Sequence, residues 1–380
     1  MKKIGCILLG LMLVLTVTVG AKAAEPEVAG KSAVVVDVDT GTVLYAHNEH
    51  EPLAPASVTK VMTMLLIMEA VDSGALGWQD TVTASETAAA KGGSQVYLKV
   101  GETMTVEEMV KSIAVSSAND CACAMAEHLA GSEAAFVERM NARAAELGME
   151  DTHFVNCTGL DDSPEAENHR TSAYDIALMS RELLKNHPDI ERFTTIWMDS
   201  VRNGAFGLTN TNKLVRFYPG ATGLKTGFTR GAGYCLSASA RRDGLGLIAV
   251  VMGAETSQDR FDACRNLLDR GFAGYARYCP ETTEGEVAVE LGKADSVRVV
   301  PARDPAMLVE KSQLGQISAR PELAESVPAP VSRGQALGEL VIRCGDRELA
   351  RIPLVAETAV ERLNFADLFL AQLSKVAMAG

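Results

Sequence analysis

Positive charge is scarce in this sequence. Its 380 residues carry 36 Lys and Arg against 49 Asp and Glu, a formal charge of −13. Lys2, Lys3 and Lys22 all fall in an N-terminal stretch without acids, so the remainder is more acidic still. No clustered Lys/Arg stripe offsets this. Such a surface repels a phosphate backbone, which excludes nucleic-acid binding. Metal-ligand spacings are missing too: there is no CxxC pair and no HExxH, and the nearest histidines, His47 and His50, fall in a polar turn. Neither a metal nor another cofactor is expected. Past the N-terminus no apolar run approaches the ~20 residues that span a bilayer, and internal repeats are absent. What remains, 47% hydrophobic and 22% charged, is globular composition, long enough for two or three domains.

The first 23 residues read as a secretory signal. Lys2 and Lys3 form its basic start, Ile7 to Val19 its apolar stretch, and Ala21-Lys22-Ala23 its small-residue cleavage site. The expectation is removal of 1–23 and export to the outer face of the cytoplasmic membrane, periplasmic or extracellular. Of eight cysteines only Cys6 lies in that segment, and the other seven cannot all pair within one chain. Cys121 and Cys123, two apart on an expected helix, point in different directions. Burial as small apolar side chains is the expected role.

Two β-rich runs, 33–38 and 42–45, flank a turn at Asp39-Thr40-Gly41 and predict a hairpin. A helix starting near Pro55 runs through Val61 to Met68, apolar on every side, as a helix in mid-core must be. Further helices are expected at 105–115, 118–130, 132–147, 172–186 and 257–276. Tyr234 to Ala240, Asp243-Gly244 and Leu245 to Met252 spell a second hairpin. Strands, many helices, strands and a helix make an α+β order: an antiparallel sheet with a helical cluster, placed at 24–279. Pro280 to Gly285 reads as a linker. Beyond it, short alternating runs at 286–291, 296–300 and 339–342 predict a small C-terminal all-β domain at 285–357. Residues 359–380, with Leu363, Phe365, Phe369, Leu370, Leu373 and Val376, predict an amphipathic tail helix suited to peripheral membrane contact. Packing on the β domain or a dimer contact is its alternative.

Three short elements carry the chemistry. Ser57-Val58-Thr59-Lys60 opens the buried helix, Ser117-Ala118-Asn119 precedes another, and Lys225-Thr226-Gly227 leads into the later hairpin. Each is common alone; the three in this order are specific. Ser57 and Lys60 are one helical turn apart and share a face. A serine hydroxyl needs a base to become a nucleophile, and Lys60 is one only when neutral. Apolar neighbours and a second cation would lower its pKa. Backbone N–H groups at Ser57 and Phe228 could receive an oxyanion. Ser117 could relay a proton to the leaving group, and Asn119 could orient Lys60 and a substrate amide. Both are also ordinary helix-capping residues. Lys225 and Thr226 on a strand edge suit a carboxylate, and Gly227 lets another backbone approach. Gly231-Ala232-Gly233 has no strand, phosphate loop and helix around it and suggests close packing rather than a nucleotide.

With these motifs the chain resembles the low-molecular-weight penicillin-binding proteins, serine-type D-alanyl-D-alanine carboxypeptidases. Pro55-Ala56-Ser57, Gly92-Gly93-Ser94-Gln95, Asn210-Thr211-Asn212-Lys213-Leu214, Gly223-Leu224-Lys225-Thr226-Gly227 and Met252-Gly253 extend the likeness over nearly the whole mature chain. The resemblance implies a DD-peptidase-like catalytic domain that removes the terminal D-alanine from peptidoglycan stem peptides in cell-wall maturation. The route it implies passes through an acyl-Ser57 intermediate, with β-lactams as covalent inhibitors. It also implies that Arg260, in Gln258-Asp259-Arg260-Phe261, helps hold the substrate carboxylate. One departure is Thr222, where the family usually carries an acid; its loss bears on how Lys225 is held.

Three rivals use the same serine. A β-lactamase needs a deacylating base, yet Glu165 and Glu167 do not stand in a Glu-x-x-x-Asn spacing with Asn168. A non-catalytic β-lactam sensor usually carries a membrane span. Endopeptidase action on cross-links cannot be separated by sequence, since both reactions cleave after D-alanine.

Overall fold

The opening strand is apolar at almost every position rather than every second one, and the layering explains why. The computed structural model describes residues 28–281 and 283–367; the expected signal segment 1–23 lies outside them. Strands β1 (Ser32–Asp37) and β2 (Val43–His47) form the first hairpin. A 3-10 turn, Ala56–Thr59, feeds helix α1 (Lys60–Asp72), followed by α2 (Val106–Ser116), α3 (Asn119–Ala130), α4 (Glu133–Glu146) and α5 (Ala173–Asn186). Then come β3 (Ala221–Thr229), β4 (Gly233–Arg242), β5 (Leu245–Ala254) and α6 (Ser257–Gly274). The five strands pair antiparallel in the order β2-β1-β5-β4-β3, which leaves β3 at an edge. Val34 and Val36 of β1 face the core under the helices, while Ala33 and Val35 face a second core under α6. With both faces covered, the strand has no solvent side on which to place polar residues.

Local chemistry sets the element ends. Thr105 and Glu108 close a capping box on α2, as Thr256 and Asp259 do on α6. Asp243 and Gly244 both take positive φ, the turn that the Asp-Gly pair predicted between β4 and β5. In α1 every residue from Lys60 to Leu65 is buried, so the helix crosses the core as expected. Its start differs. Ser57 lies in the tighter 3-10 turn and the α-helix proper begins at Lys60.

After the linker, β6 (Gly285–Glu290), β7 (Ser296–Pro301), β8 (Ile317–Leu323), β9 (Ser326–Pro328), β10 (Ala336–Cys344) and β11 (Arg347–Ala356) form one sheet in the order β8-β10-β11-β7-β6-β9. Val287, Val289, Val297, Val299, Leu340, Ile342, Ile352 and Leu354 line its own core, the alternation read from the sequence. A ribbon not foreseen crosses the linker: Tyr275–Tyr278 pairs with Met307–Glu310. The tail reading needs correction at its start. Val360 bridges to Val331 and Arg362 to Gly292, so the chain stays extended there, and helix appears only at 365–367. The rest of the expected tail helix lies outside the described residues. Five of the seven described cysteines are buried, and all seven are free thiols. Among the described residues no helix is long and apolar enough to cross a membrane.

Candidate active site

The 3-10 turn brings residues three apart into line, so Lys60 stands directly over Ser57. Lys60 Nζ lies 3.0 Å from Ser57 Oγ and donates to the Thr158 carbonyl at 2.8 Å. Ala56, just before the nucleophile, takes the left-handed conformation at φ +50°, which costs a non-glycine residue about 1–3 kcal/mol and fixes the direction of the turn. Lys60 is 0% exposed, and burial lowers its pKa to about 7; Cys157 and Asp120 oppose the shift weakly. The expected repulsion from a second cation falls on the other partner. Lys225 is pushed well below its ordinary value by burial, then by Lys60, then by Arg260.

The capping alternative fails for the second element. Ser117 is the residue after α2, held in the left-handed region at φ +63°, and Ala118 precedes α3 with no side-chain cap. Asn119 Nδ2 donates to the Gly92 carbonyl at 2.7 Å, and its N–H to Ser94 O at 2.7 Å. Ser117 Oγ and Asn119 Oδ1 are buried with no partner among the described residues. An unmatched buried polar atom costs about 1–3 kcal/mol, a cost that functional sites sustain more often than structural ones. Asn119 does not hydrogen-bond Lys60. The sequence assigned it that duty, but the Thr158 carbonyl performs it.

β3 supplies the third element on the sheet edge. Lys225 Nζ donates to the Thr226 carbonyl at 2.8 Å, and Thr226 Oγ1 donates to Thr211 Oγ1 at 2.7 Å. Thr211 N–H in turn donates to the Val115 carbonyl, two residues before Ser117, which ties β3 to the end of α2. What approaches Gly227 is this chain's own turn: a Cβ there would lie 2.6 Å from Pro55 O and 3.1 Å from Val58 N. The glycine therefore seats the strand against the Ser57 turn, a correction to its expected role toward substrate. Gly233 is also closely packed, a Cβ there lying 2.9 Å from Ala254 O, whereas Gly231 is not. Arg260, on α6, donates to the carbonyls of Gly227 (2.7 Å) and Cys235 (3.2 Å) and so braces β3 from behind. Phe228 is half exposed and stacks on Tyr234 at 4.2 Å. Thr222, in place of the usual acid, donates to Ser239 Oγ at 2.8 Å. Glu165 and Glu167 are exposed on a separate 3-10 turn.

Three contributors escaped the sequence reading. Thr158 acts through its carbonyl, which residue type does not reveal. Thr211 lay inside a quoted segment without an assigned task. Asp120, 0% exposed, accepts N–H groups of Val96 and Leu98 and fixes the 92–98 loop on α3; an acid beside Asn119 in a first helical turn was its only signal. Among the described residues, Glu69, Glu182 and His187 bring ligating atoms together. Arg143 answers both glutamates at 2.7 Å and Asp72 takes His187, so that cluster is an ion-pair network.

A lysine whose pKa burial brings down to about 7, against a serine at the foot of an edge strand, is the machinery of an acyl-transferring serine hydrolase. The D-alanyl-D-alanine carboxypeptidase family profile matches residues 19–256, and that of the penicillin-binding protein 5 C-terminal domain matches 280–362. The chain belongs to the D-alanyl-D-alanine carboxypeptidase family. It is 42% identical over 353 residues to D-alanyl-D-alanine carboxypeptidase DacF of Bacillus subtilis (strain 168), covering 91% of this chain and 90% of that protein. Identity to DacD of Escherichia coli (strain K12) is 33% over 349 residues, 88% of each. Penicillin binding protein 6B from Escherichia coli superimposes with a TM-score of 0.70 at 32% identity, covering 87% of this chain and 96% of that one. Penicillin-Binding Protein D2 from Listeria monocytogenes, solved in an ampicillin-bound form, matches 64% of this chain and 98% of its own with a TM-score of 0.57 at 32% identity. The protein is a serine-type D-Ala-D-Ala carboxypeptidase, a penicillin-binding hydrolase with an α+β catalytic fold and a C-terminal all-β domain.

Proposed function

We propose that this carboxypeptidase removes the terminal D-alanine of peptidoglycan stem peptides through an ester on Ser57. Neutral Lys60 takes the hydroxyl proton as Ser57 Oγ attacks the penultimate carbonyl carbon. The N–H groups of Ser57 and Phe228 receive the oxyanion. Ser117 Oγ gives its proton to the departing D-alanine nitrogen and takes the one held by Lys60, which becomes neutral again, and Asn119 Oδ1 orients the substrate amide. Lys225 and Thr226 take the terminal carboxylate, with Gly227 keeping β3 against the nucleophile and Arg260 adding charge behind it. Water then cleaves the acyl-Ser57 ester. A β-lactam follows the first half of this path, and its ring-opened product stays on Ser57.

The observation that carries this reading is the 3.0 Å approach of a wholly buried Lys60 to Ser57 Oγ, with the Thr158 carbonyl holding the amine. The edge position of β3 supports it, since an extended peptide can add to such a strand. We assign the catalytic unit to 24–279 and the β domain to 285–357, with 1–23 an export signal and the tail a peripheral contact on the outer face of the cytoplasmic membrane. The test is D-alanine release from a synthetic peptide ending in D-Ala-D-Ala, by the purified mature chain and by its Ser57→Ala variant. Release that disappears in the variant supports the reading. A folded wild type that binds penicillin at Ser57 yet releases nothing favours a sensor, or an endopeptidase if a cross-linked dimer is cut instead.

A further inference from the structure

Lys60 and Ser57 are held by two backbone segments distant in sequence, the turn 56–59 and the stretch 155–160. A buried histidine joins them. His169 is 3% exposed, packed edge-on against Phe154 at 5.6 Å. Its Nδ1 accepts the N–H of Val155 at 3.2 Å, and its Nε2 lies 2.8 Å from Thr59 Oγ1. Thr59 Oγ1 donates to the Ala56 carbonyl at 2.8 Å. A backbone N–H can only donate, so Nδ1 is the acceptor and the ring proton sits on Nε2. The chain of donors runs Val155 N–H to Nδ1, Nε2–H to Thr59 Oγ1, and Thr59 O–H to Ala56 O. It ends on the peptide between Ala56, strained at φ +50°, and the nucleophile.

The two segments also pack closely at Gly159. A Cβ on Gly159 would fall 1.8 Å from Ala56 O and 2.7 Å from Thr59 Oγ1. On the far side of Gly159, Thr158 O accepts from Lys60 Nζ. We infer that His169 is a positioning residue for acylation: as a neutral Nε2–H ring it locks the Ser57 turn to the strand of backbone that holds Lys60. The surrounding groups favour that neutral form. Burial acts first, then the charges of His153, Arg170 and Lys60, and together they bring its pKa down to about 4. A proton on Nδ1 would face the Val155 N–H donor to donor and break the lock.

The inference rests on the acyl-Ser57 reading and is tested by a readout that separates the two. The second-order rate of penicillin acylation is measured with the mass of the Ser57 adduct, alongside kcat and KM for D-alanine release and the melting temperature. His169→Ala and Thr59→Val are each expected to lower acylation and kcat by about 10- to 100-fold, the scale of an ångström-size misplacement, with KM little changed. The double variant should fall no further than the worse single one, because both break one chain. His169→Gln, whose amide can donate to Thr59, should recover most of the rate, while His169→Asn should not. Folded variants that acylate at the wild-type rate overturn the inference, as does a glutamine no better than alanine. If the histidine variants do not fold, Thr59→Val decides alone: it exchanges the hydroxyl for a methyl of similar size, and an unchanged rate sinks the proposal. Failure of the wild type itself to acylate at Ser57 would instead sink the acyl-enzyme reading.

Discussion

A lysine enclosed on all sides loses the hydration that keeps an ammonium charged, and Lys60 answers by titrating near 7 instead of above 10. Most serine hydrolases reach neutrality in their base with a histidine; here depth in the core achieves it with an amine. The consequence has a definite sign. Only neutral Lys60 accepts the Ser57 proton, so the acylation rate of the free enzyme should rise about tenfold per pH unit below about 7 and level off above it. Stopped-flow acylation between pH 5 and 9 reads this directly. A profile flat across that range would mean that Lys60 is not the base. Replacing Lys60 with Arg, which stays charged, should remove the rising limb and leave a small rate independent of pH. The pair was legible from its spacing once the other two motifs stood beside it, because three residues make a turn in either helix type. The acceptor at Thr158 was not. A backbone carbonyl has no signature in residue type, and only the fold brings residue 158 back over residue 60.

Among the elements, the Ser57 turn and the 155–160 stretch pack so closely that only a glycine fits between them. Gly159 sits at φ +80° with its Cβ direction filled by Ala56 O and Thr59 Oγ1. Gly148 also has positive φ, +73°, but nothing lies within 4 Å of its Cβ position. The pair separates backbone strain from crowding. Gly148→Ala should cost only the left-handed penalty of about 1–2 kcal/mol and leave acylation intact. Gly159→Ala adds a steric displacement of about 1–3 kcal/mol and should slow acylation as well as lower the melting temperature. Equal effects on both quantities would show that the contact does not govern the site. The helices expected from the sequence match α2 to α6 to within two residues, whereas α1 starts five residues later than expected. The 3-10 turn and the ribbon at Tyr275–Tyr278 were not legible. The first rests on a positive φ at an alanine, and the second on a partner 29 to 35 residues away.

For the whole molecule, every group assigned to the chemistry lies between Ser57 and Arg260, and the C-terminal sheet buries a core of its own. The sequence already divided the chain this way, from the change between helical periods and short alternation. The ribbon complicates a clean cut, because Met307–Glu310 covers the strand that follows α6. A chain ending at Tyr278 should therefore keep the full penicillin acylation rate and D-alanine release from a short soluble peptide. It should melt several degrees lower, having lost the strand partner of Tyr275–Tyr278, and self-associate more readily as that edge opens. Acylation kinetics, calorimetry and sedimentation on the two forms make the comparison. If the shortened chain folds but acylates more than about tenfold slower, the β domain reaches the site through the ribbon and the separation argued from the core clusters fails. If it acylates normally on soluble peptide and loses only its activity on intact wall, the domain's contribution is to set the distance and orientation of the site above its substrate, as a rigid spacer with its own core would.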